Sequence, residues 1–326
     1  MAGPRFRLLR RLWWSAGLVL VAAGGAGLAV HADQPHDAQH RPELFGRADA
    51  ALQTWLPALD ERLVALDERV FDLSSAGQHL LGAYFDLDSA GALEAADAGD
   101  TAGAAVNGAV DDAFVVLDAA LVAVESWRLS DPNRHRLARI QVALISSRGL
   151  STIWSTVTAD ARLAASVLEP LAAHDGLLTA ATDAGREARW QDALDALDAA
   201  VQPLDQFAAA AGGLPESLGG PRLQALAAAY GEYHDALGAL YRHVRQTGSV
   251  TGPRVDELLA VVEDAQVHLP GDRLALGEIV VGALGQTLTS AVVAMEQASA
   301  DIFDALPGEE LEPIDDLEPI DDGLEP

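Results

Sequence analysis

Apolar residues recur in alternating steps of four and three along most of this chain, and this spacing restricts the fold more than any other feature. The longest run covers five heptads, with Glu61, Arg62 and Asp67 at other heptad positions. Its members are Leu52, Leu56, Leu59, Leu63, Leu66, Val70, Leu73, Gly77, Leu80, Tyr84 and Leu87. Such a seam buries one face of an α-helix against a partner helix, as in a coiled coil. No segment has convincing period-2 alternation, so the sequence predicts an all-α fold.

Further segments repeat the pattern and extend the prediction along the chain. Seams occupy 106–127, 137–168, 190–208 and 223–244, and two more helices are expected at about 254–268 and 273–305. Residues 88–105, rich in Gly, Ala and Asp, are expected to form the turn of a long hairpin, and Asp131-Pro132 an N-cap followed by proline. The apolar stretch Leu274–Met295 is interpreted as a buried bundle helix, with a second membrane span as the alternative. The predicted architecture is a bundle of long antiparallel helices with coiled-coil-like heptad packing.

The N-terminal segment has the length and the flanking residues of a membrane helix. Residues 12–30 contain no ionisable side chain and span about 28 Å as a helix, close to the thickness of a hydrocarbon core. Four arginines precede them and should stay cytoplasmic, which places the rest of the chain outside. We therefore predict a single-pass anchor in the inner (cytoplasmic) membrane and a periplasmic body. Val30-His31-Ala32 also fits a signal-peptide cleavage site, and cleavage there would make the protein secreted.

Composition excludes several classes of function. The chain has 21 basic residues, all of them arginine, against 49 acidic ones, which gives a formal charge of −28. Without lysine there is no Walker A loop or pyridoxal Schiff base, and without cysteine there is no thiol nucleophile, disulfide or iron–sulfur cluster. The acidic balance argues against nucleic-acid binding. No GxSxG, HExxH or Glu-x-x-His motif occurs, so we expect no enzymatic activity, no cofactor and no metal site.

The C-terminal tail, residues 307–326, contains nine acidic residues and no basic one. It repeats the sequence LEPIDD, and its charge and regular prolines prevent a packed element, so disorder is expected. Two interpretations stay open. The tail either keeps the protein soluble or is a repeated docking peptide, whose Leu and Ile residues anchor it to a basic partner surface.

These features divide the chain into five predicted parts. They are a signal anchor or signal peptide at 1–32, a juxtamembrane linker at 33–43, a helical hairpin at 44–130, a helical bundle and candidate sensor module at 131–306, and the disordered acidic tail at 307–326. The predicted partners are the membrane, a small anion and a protein that binds the tail.

The first candidate ligand site is a polar interruption of the third seam. Ser147 and Ser151 occupy seam positions where neighbouring layers carry Leu or Trp, and Arg148 lies beside them. A polar layer inside a bundle requires partner side chains, water or a ligand, and a guanidinium can hold an anion through two hydrogen bonds. The alternative is a hydrated layer in which Arg148 pairs with an acid.

The second candidate ligand site lies in residues 230–245, which contain three of the four tyrosines of the chain. Tyr230 and His234 are four residues apart and therefore share a helical face, and Tyr233 lies between them. Their polar tips suit a pocket inside a bundle. The alternative is ordinary packing at the edge of the core.

The segment Ser147-Arg148-Gly149-Leu150-Ser151 resembles the nitrate- and nitrite-sensing family of periplasmic helical domains. Members carry an Arg-Gly-hydrophobic-Ser sequence on one bundle helix and spaced tyrosines on a later one, as at Tyr230 and Tyr233. The resemblance covers at most residues 131–250, and it implies a sensor in which Arg148 contacts a small anion. We therefore expect a membrane-anchored, sensor-like or interaction protein. The alternatives are a structural scaffold whose tail docks a partner and a carboxylate-based hydrolase.

Overall fold

The computed structural model describes residues 42–124 and 128–307; the predicted membrane anchor and tail residues 308–326 lie outside them. The helices are α1 (Pro42–Gln53), α2 (Leu56–Phe85), α3 (Ser89–Ala123), α4 (Asp131–Arg148), α5 (Leu150–Arg186), α6 (Trp190–Gly213), α7 (Gly220–Thr247), α8 (Pro253–Gln266), α9 (Arg273–Leu284) and α10 (Gln286–Ala305), with a 3₁₀ turn at Glu216–Leu218. The described residues contain no strand, which confirms the all-α helical bundle.

Helices α2 and α3 form the long hairpin, but its turn is much shorter than the sequence predicts. Residues 88–105 are helical almost throughout, because α3 begins at Ser89, where the Asp88 carboxylate accepts a hydrogen bond from the Gly91 amide at 2.9 Å. The prediction of a turn there was wrong. Alanine is the strongest helix former, and Gly99 lies on the contact face, where a Cβ would come 1.9 Å from the Trp154 ring.

Trp154 joins this hairpin to α5. Its indole is buried, and its Nε1 donates a hydrogen bond to the Ala96 carbonyl oxygen at 3.1 Å. One turn later, the Thr158 hydroxyl donates to the Asp100 carboxylate at 2.7 Å. The close approach of α3 and α5 therefore depends on small residues in α3 and on specific polar contacts from α5.

Two predicted helix boundaries are corrected by the structure. Helix α4 begins at Asp131 with Ser130 as its N-cap residue, so Asp131 is not the cap, and the Ser130 amide donates to the Asp49 carboxylate of α1 at 3.0 Å. The stretch Leu274–Met295 is also not one helix, because α9 and α10 meet at Gly285 with a bend of 75°. Helix α9 packs on the end of α2, where a Cβ on Gly277 would come 2.6 Å from the Phe85 carbonyl oxygen.

No single helix in the described ranges is long and apolar enough to cross a membrane. The bent pair α9 and α10 reaches the required length and composition only when the two helices are taken together.

The helices pack as two connected groups around α5. Helices α2, α3, α4 and α10 surround the first part of α5, and α6, α7 and α8 continue from its second part. The buried apolar side chains of both groups form one continuous core. Helix α5, with 37 residues, therefore runs through both groups and connects them.

Candidate functional site

The structure places Ser147, Arg148 and Ser151 close together but does not direct them into a common cavity. Ser147 is fully buried, and its hydroxyl donates to the Ala143 carbonyl oxygen at 2.8 Å within α4. Ser151 is half-buried and faces Gly103 of α3. The hydroxyl of Ser147 is thus satisfied within its own helix, and Ser151 packs against α3.

Arg148 points away from the bundle interior. It is the last residue of α4, its side chain is 65% exposed, and its guanidinium lies 3.5 Å from the Asp111 carboxylate. The guanidinium carbon also lies 5.4 Å from the centre of the Phe114 ring, within the range of a cation–π contact. This arrangement corresponds to the alternative in which Arg148 pairs with an acid.

The second group of candidate residues lies along α7 and is more enclosed. Tyr230 is buried, and Tyr233 and His234 are half-buried. The Nε2 atom of His234 lies 2.7 Å from the Leu197 carbonyl oxygen of α6, within hydrogen-bonding distance. Burial raises the pKa of Tyr230 and of Tyr233, so both phenols keep their protons at neutral pH.

His174 of α5 joins this group, and sequence reasoning did not find it. Its imidazole is fully buried, its ring centre lies 4.8 Å from that of Tyr230 in an edge-to-face contact, and neither ring nitrogen has a hydrogen-bond partner among the described residues. Burial and, to a smaller extent, the nearby His234 lower the pKa of His174 to about 4. The ring is therefore neutral near pH 7.

An ion pair lies next to this cluster. Asp175, the residue after His174, pairs with Arg273 of α9 at 2.8 Å, and the same guanidinium donates to the Asp86 carbonyl oxygen at 2.8 Å. Helices α5 and α9 are thus tied to the turn between α2 and α3 beside the buried imidazole. We call His174, Tyr230, Tyr233 and His234 the His174 layer.

The six residues predicted from sequence therefore form two separate groups. Leu150 and His174 are 24 residues apart in one continuous helix, which corresponds to about 36 Å along the axis. Arg148, which precedes Leu150, cannot contribute to the His174 layer. The signal for His174 was present in the sequence, since it lies between Leu171 and Leu178 at a position that continues the apolar seam of α5.

The described residues hold no group of three or more His, Asp and Glu side chains that could bind a metal ion. An open surface groove of about 450 Å³ lies beside the 3₁₀ turn, and Glu216 and Arg222 are the charged residues among those that line it.

No protein-family model matches this chain, and no curated protein or solved structure is significantly similar to it.

Proposed function

We propose that the protein is a membrane-anchored helical bundle outside the cytoplasm, that it works as a sensor-like interaction module, and that the His174 layer is its input site. The observation that carries this proposal is the fully buried His174 ring, whose two nitrogens have no hydrogen-bond partner in the part of the chain that the structure describes. The N-terminal apolar segment and its flanking arginines support the location.

A buried polar group without a partner destabilises the folded state by about 1–3 kcal/mol. Any species that satisfies the imidazole removes part of this penalty, so its binding free energy is coupled to the packing of α5, α6 and α7. A proton together with a small anion fits the neighbouring groups. The imidazolium would donate to the anion, and the protonated phenol of Tyr230, whose ring contacts His174, would supply a further donor.

The position of His174 suits a response that is transmitted over a distance. The ring lies between helices, so a ligand that enters must change how α5 packs against α7. Helix α5 continues from His174 to Trp154 in the first group of helices, and Arg273 connects the same region to α9. A ligand that binds the two packing arrangements with different affinity would shift their populations.

Between the two candidate ligand sites, the geometry favours the His174 layer over Arg148. The Arg148 guanidinium is exposed and already lies against an acid, where an anion would have to compete with water and with Asp111. The buried hydroxyl of Ser147 already donates to Ala143.

Hydrogen exchange in the full-length protein tests this proposal. Nitrate, nitrite and acetate are added at pH 5 to 7, and we expect at least one of them to change amide protection in α5 and α7. The change should be lost in His174→Leu and kept in Arg148→Ala. The absence of any response at millimolar concentrations would contradict the input site, and protection of the body from protease in spheroplasts would contradict the location.

A further inference from the structure

Helix α4 differs in charge from the rest of this acidic protein. Residues 132–159 contain four arginines and no acidic residue, although the whole chain has a formal charge of −28. The arginines are Arg134, Arg136, Arg139 and Arg148, and all four belong to α4. An exposed basic helix on such a molecule is a preferred contact for a negatively charged partner.

The positive charge of α4 that no acid neutralises is at Arg139, and apolar side chains lie beside it. Arg139 is exposed and makes no ion pair with any described residue. The other three arginines of α4 pair with acids: Arg134 with Asp131, Arg136 with Asp60 and Arg148 with Asp111. Val142 and Ile145 follow on the outer surface of α4 and are 53% and 65% exposed. Arg139, Val142 and Ile145 succeed one another at intervals of three residues, so they form a mixed basic and apolar strip, which we call the α4 strip.

The acidic tail begins at the end of the bundle where this strip begins. The Ser299 hydroxyl of α10 donates to the Asp67 carboxylate of α2, and Gly77 faces Val292, so α10 runs antiparallel to α2. Helix α10 therefore ends near the first turns of α2. Helix α4 starts at the same level, because Arg136 pairs with Asp60 at 2.7 Å, and α10 packs directly against α4.

The sequence of the tail complements the α4 strip in charge and in apolar pattern. Residues 308–326 contain nine acids and no base. Their apolar residues Leu311, Ile314, Leu317 and Ile320 recur at every third position, and prolines are interspersed. A polyproline II helix has three residues per turn, so this spacing places the apolar residues on one edge and the acids on the other two.

We propose that residues 308–326 bind along the α4 strip of the same chain. The length of the tail is sufficient: one LEPIDD copy in an extended conformation spans about 19 Å, and the α4 strip from Arg139 to Ile145 extends about 9 Å along the helix axis. The tether also favours this occupant, because a short flexible connection gives an effective concentration of the order of millimolar. The bound tail covers the strip until an acidic or anionic partner displaces it.

Disulfide trapping in the full-length protein tests the proposal, and the chain suits it because it has no native cysteine. One cysteine replaces Pro313 in the tail and the second replaces either Val142 of α4 or Val64 of α2. The two valines are 53% and 48% exposed and lie on helices that both pack against α10. We expect the Val142 pair to form its intramolecular disulfide about tenfold faster than the Val64 pair.

Charge reversal provides the second arm of the experiment. In the double variant Arg134→Glu/Arg139→Glu the Val142 pair should form its disulfide no faster than the Val64 pair. In the parent protein, about 1 M salt should reduce the difference between the two rates. The matched control is Arg186→Glu on α5, whose side chain is 79% exposed and which should keep the preference. Circular dichroism melts verify that each variant is folded.

Three outcomes would overturn the proposal. The first is equal trapping rates for the two valines. The second is a preference for Val142 that is unchanged in Arg134→Glu/Arg139→Glu, which would show that the basic residues of α4 do not hold the tail. The third is disulfide formation mainly between two chains, which would assign it to a second copy of the protein.

Discussion

The buried imidazole of His174 meets Tyr230 edge-on, with ring centres 4.8 Å apart, while both of its nitrogens lack a hydrogen-bond partner within residues 42–124 and 128–307. An aromatic contact of this geometry contributes about 0.5–1.5 kcal/mol beyond the area that it buries. It does not satisfy the ring nitrogens. The folded state therefore tolerates a neutral His174 and disfavours its protonation, which makes the layer sensitive to pH.

Acid should destabilise the protein through His174. The pKa of this residue is about 4 when folded against 6.5 in the unfolded chain, so between these values the unfolded state binds more protons. The free energy of unfolding should fall as the pH decreases from about 6.5 to 4. Between pH 7 and 4.5 the free energy of unfolding of the parent protein should decrease by about 2–3 kcal/mol more than that of His174→Leu. Urea titrations at the two pH values measure this difference. His79→Leu, at an exposed histidine of α2, is the control, and an equal pH dependence in all three proteins would refute the prediction.

Gly99→Ala should destabilise the bundle, because the added Cβ would overlap the Trp154 ring. Overpacking of this kind typically lowers the free energy of unfolding by about 1–3 kcal/mol. Gly108→Ala is the matched control in the same helix, since a Cβ there has nothing within 4 Å, and it should stabilise by about 0.5–1 kcal/mol. Chemical denaturation measures both values. Equal effects of the two substitutions would show that the Trp154 ring does not lie against Gly99 of α3.

The ion pair of Arg136 with Asp60 should contribute measurably to stability. One guanidinium nitrogen lies 2.7 and 2.8 Å from the two carboxylate oxygens, and the side chains are only 19% and 24% exposed. A double-mutant cycle to alanine should give a coupling energy of about 1–2 kcal/mol. The same cycle on Arg186 and Asp183, which are 79% and 55% exposed, should give at most about 0.5 kcal/mol. Similar couplings for both pairs would argue that α4 is not held to α2 through this contact.

Ala188→Gly should stabilise the turn between α5 and α6. Ala188 is exposed and has a φ of 59°, a left-handed conformation that disfavours residues with a Cβ. We expect a gain of about 0.5–1 kcal/mol in the free energy of unfolding. Ala180→Gly, at an exposed position within α5, should instead lower the free energy of unfolding by about 1 kcal/mol. A loss at both positions would contradict the assigned conformation of the turn.

The helices were predictable because their apolar period is regular, and the errors have local causes. The seam from Leu52 to Leu87 lies in the core almost throughout. The prediction failed at 88–105 because a segment of Ala and Gly was interpreted as a turn, whereas Gly99 is the residue that lets Trp154 approach α3. The bend at Gly285 was missed because α9 and α10 share one apolar composition, which gives no signal of a break between them.

The candidate residues were predictable only in part. Tyr230 and His234 do share a helical face and a buried environment, as their spacing predicts. Arg148 was expected beside a buried layer, but its position at the end of α4 directs the side chain outward. His174 was missed because an isolated histidine within an apolar seam has no motif, and its significance depends on which polar groups the neighbouring helices bring to it.

The most direct test of the proposed input site is a nitrogen NMR titration of the His174 imidazole in the full-length protein, with and without nitrate. The proposal predicts a neutral ring at pH 7, a pKa near 4 without the anion, and an upward shift of this pKa when the anion binds the protonated ring. A pKa near 6.5, or one that no small anion changes, would contradict it.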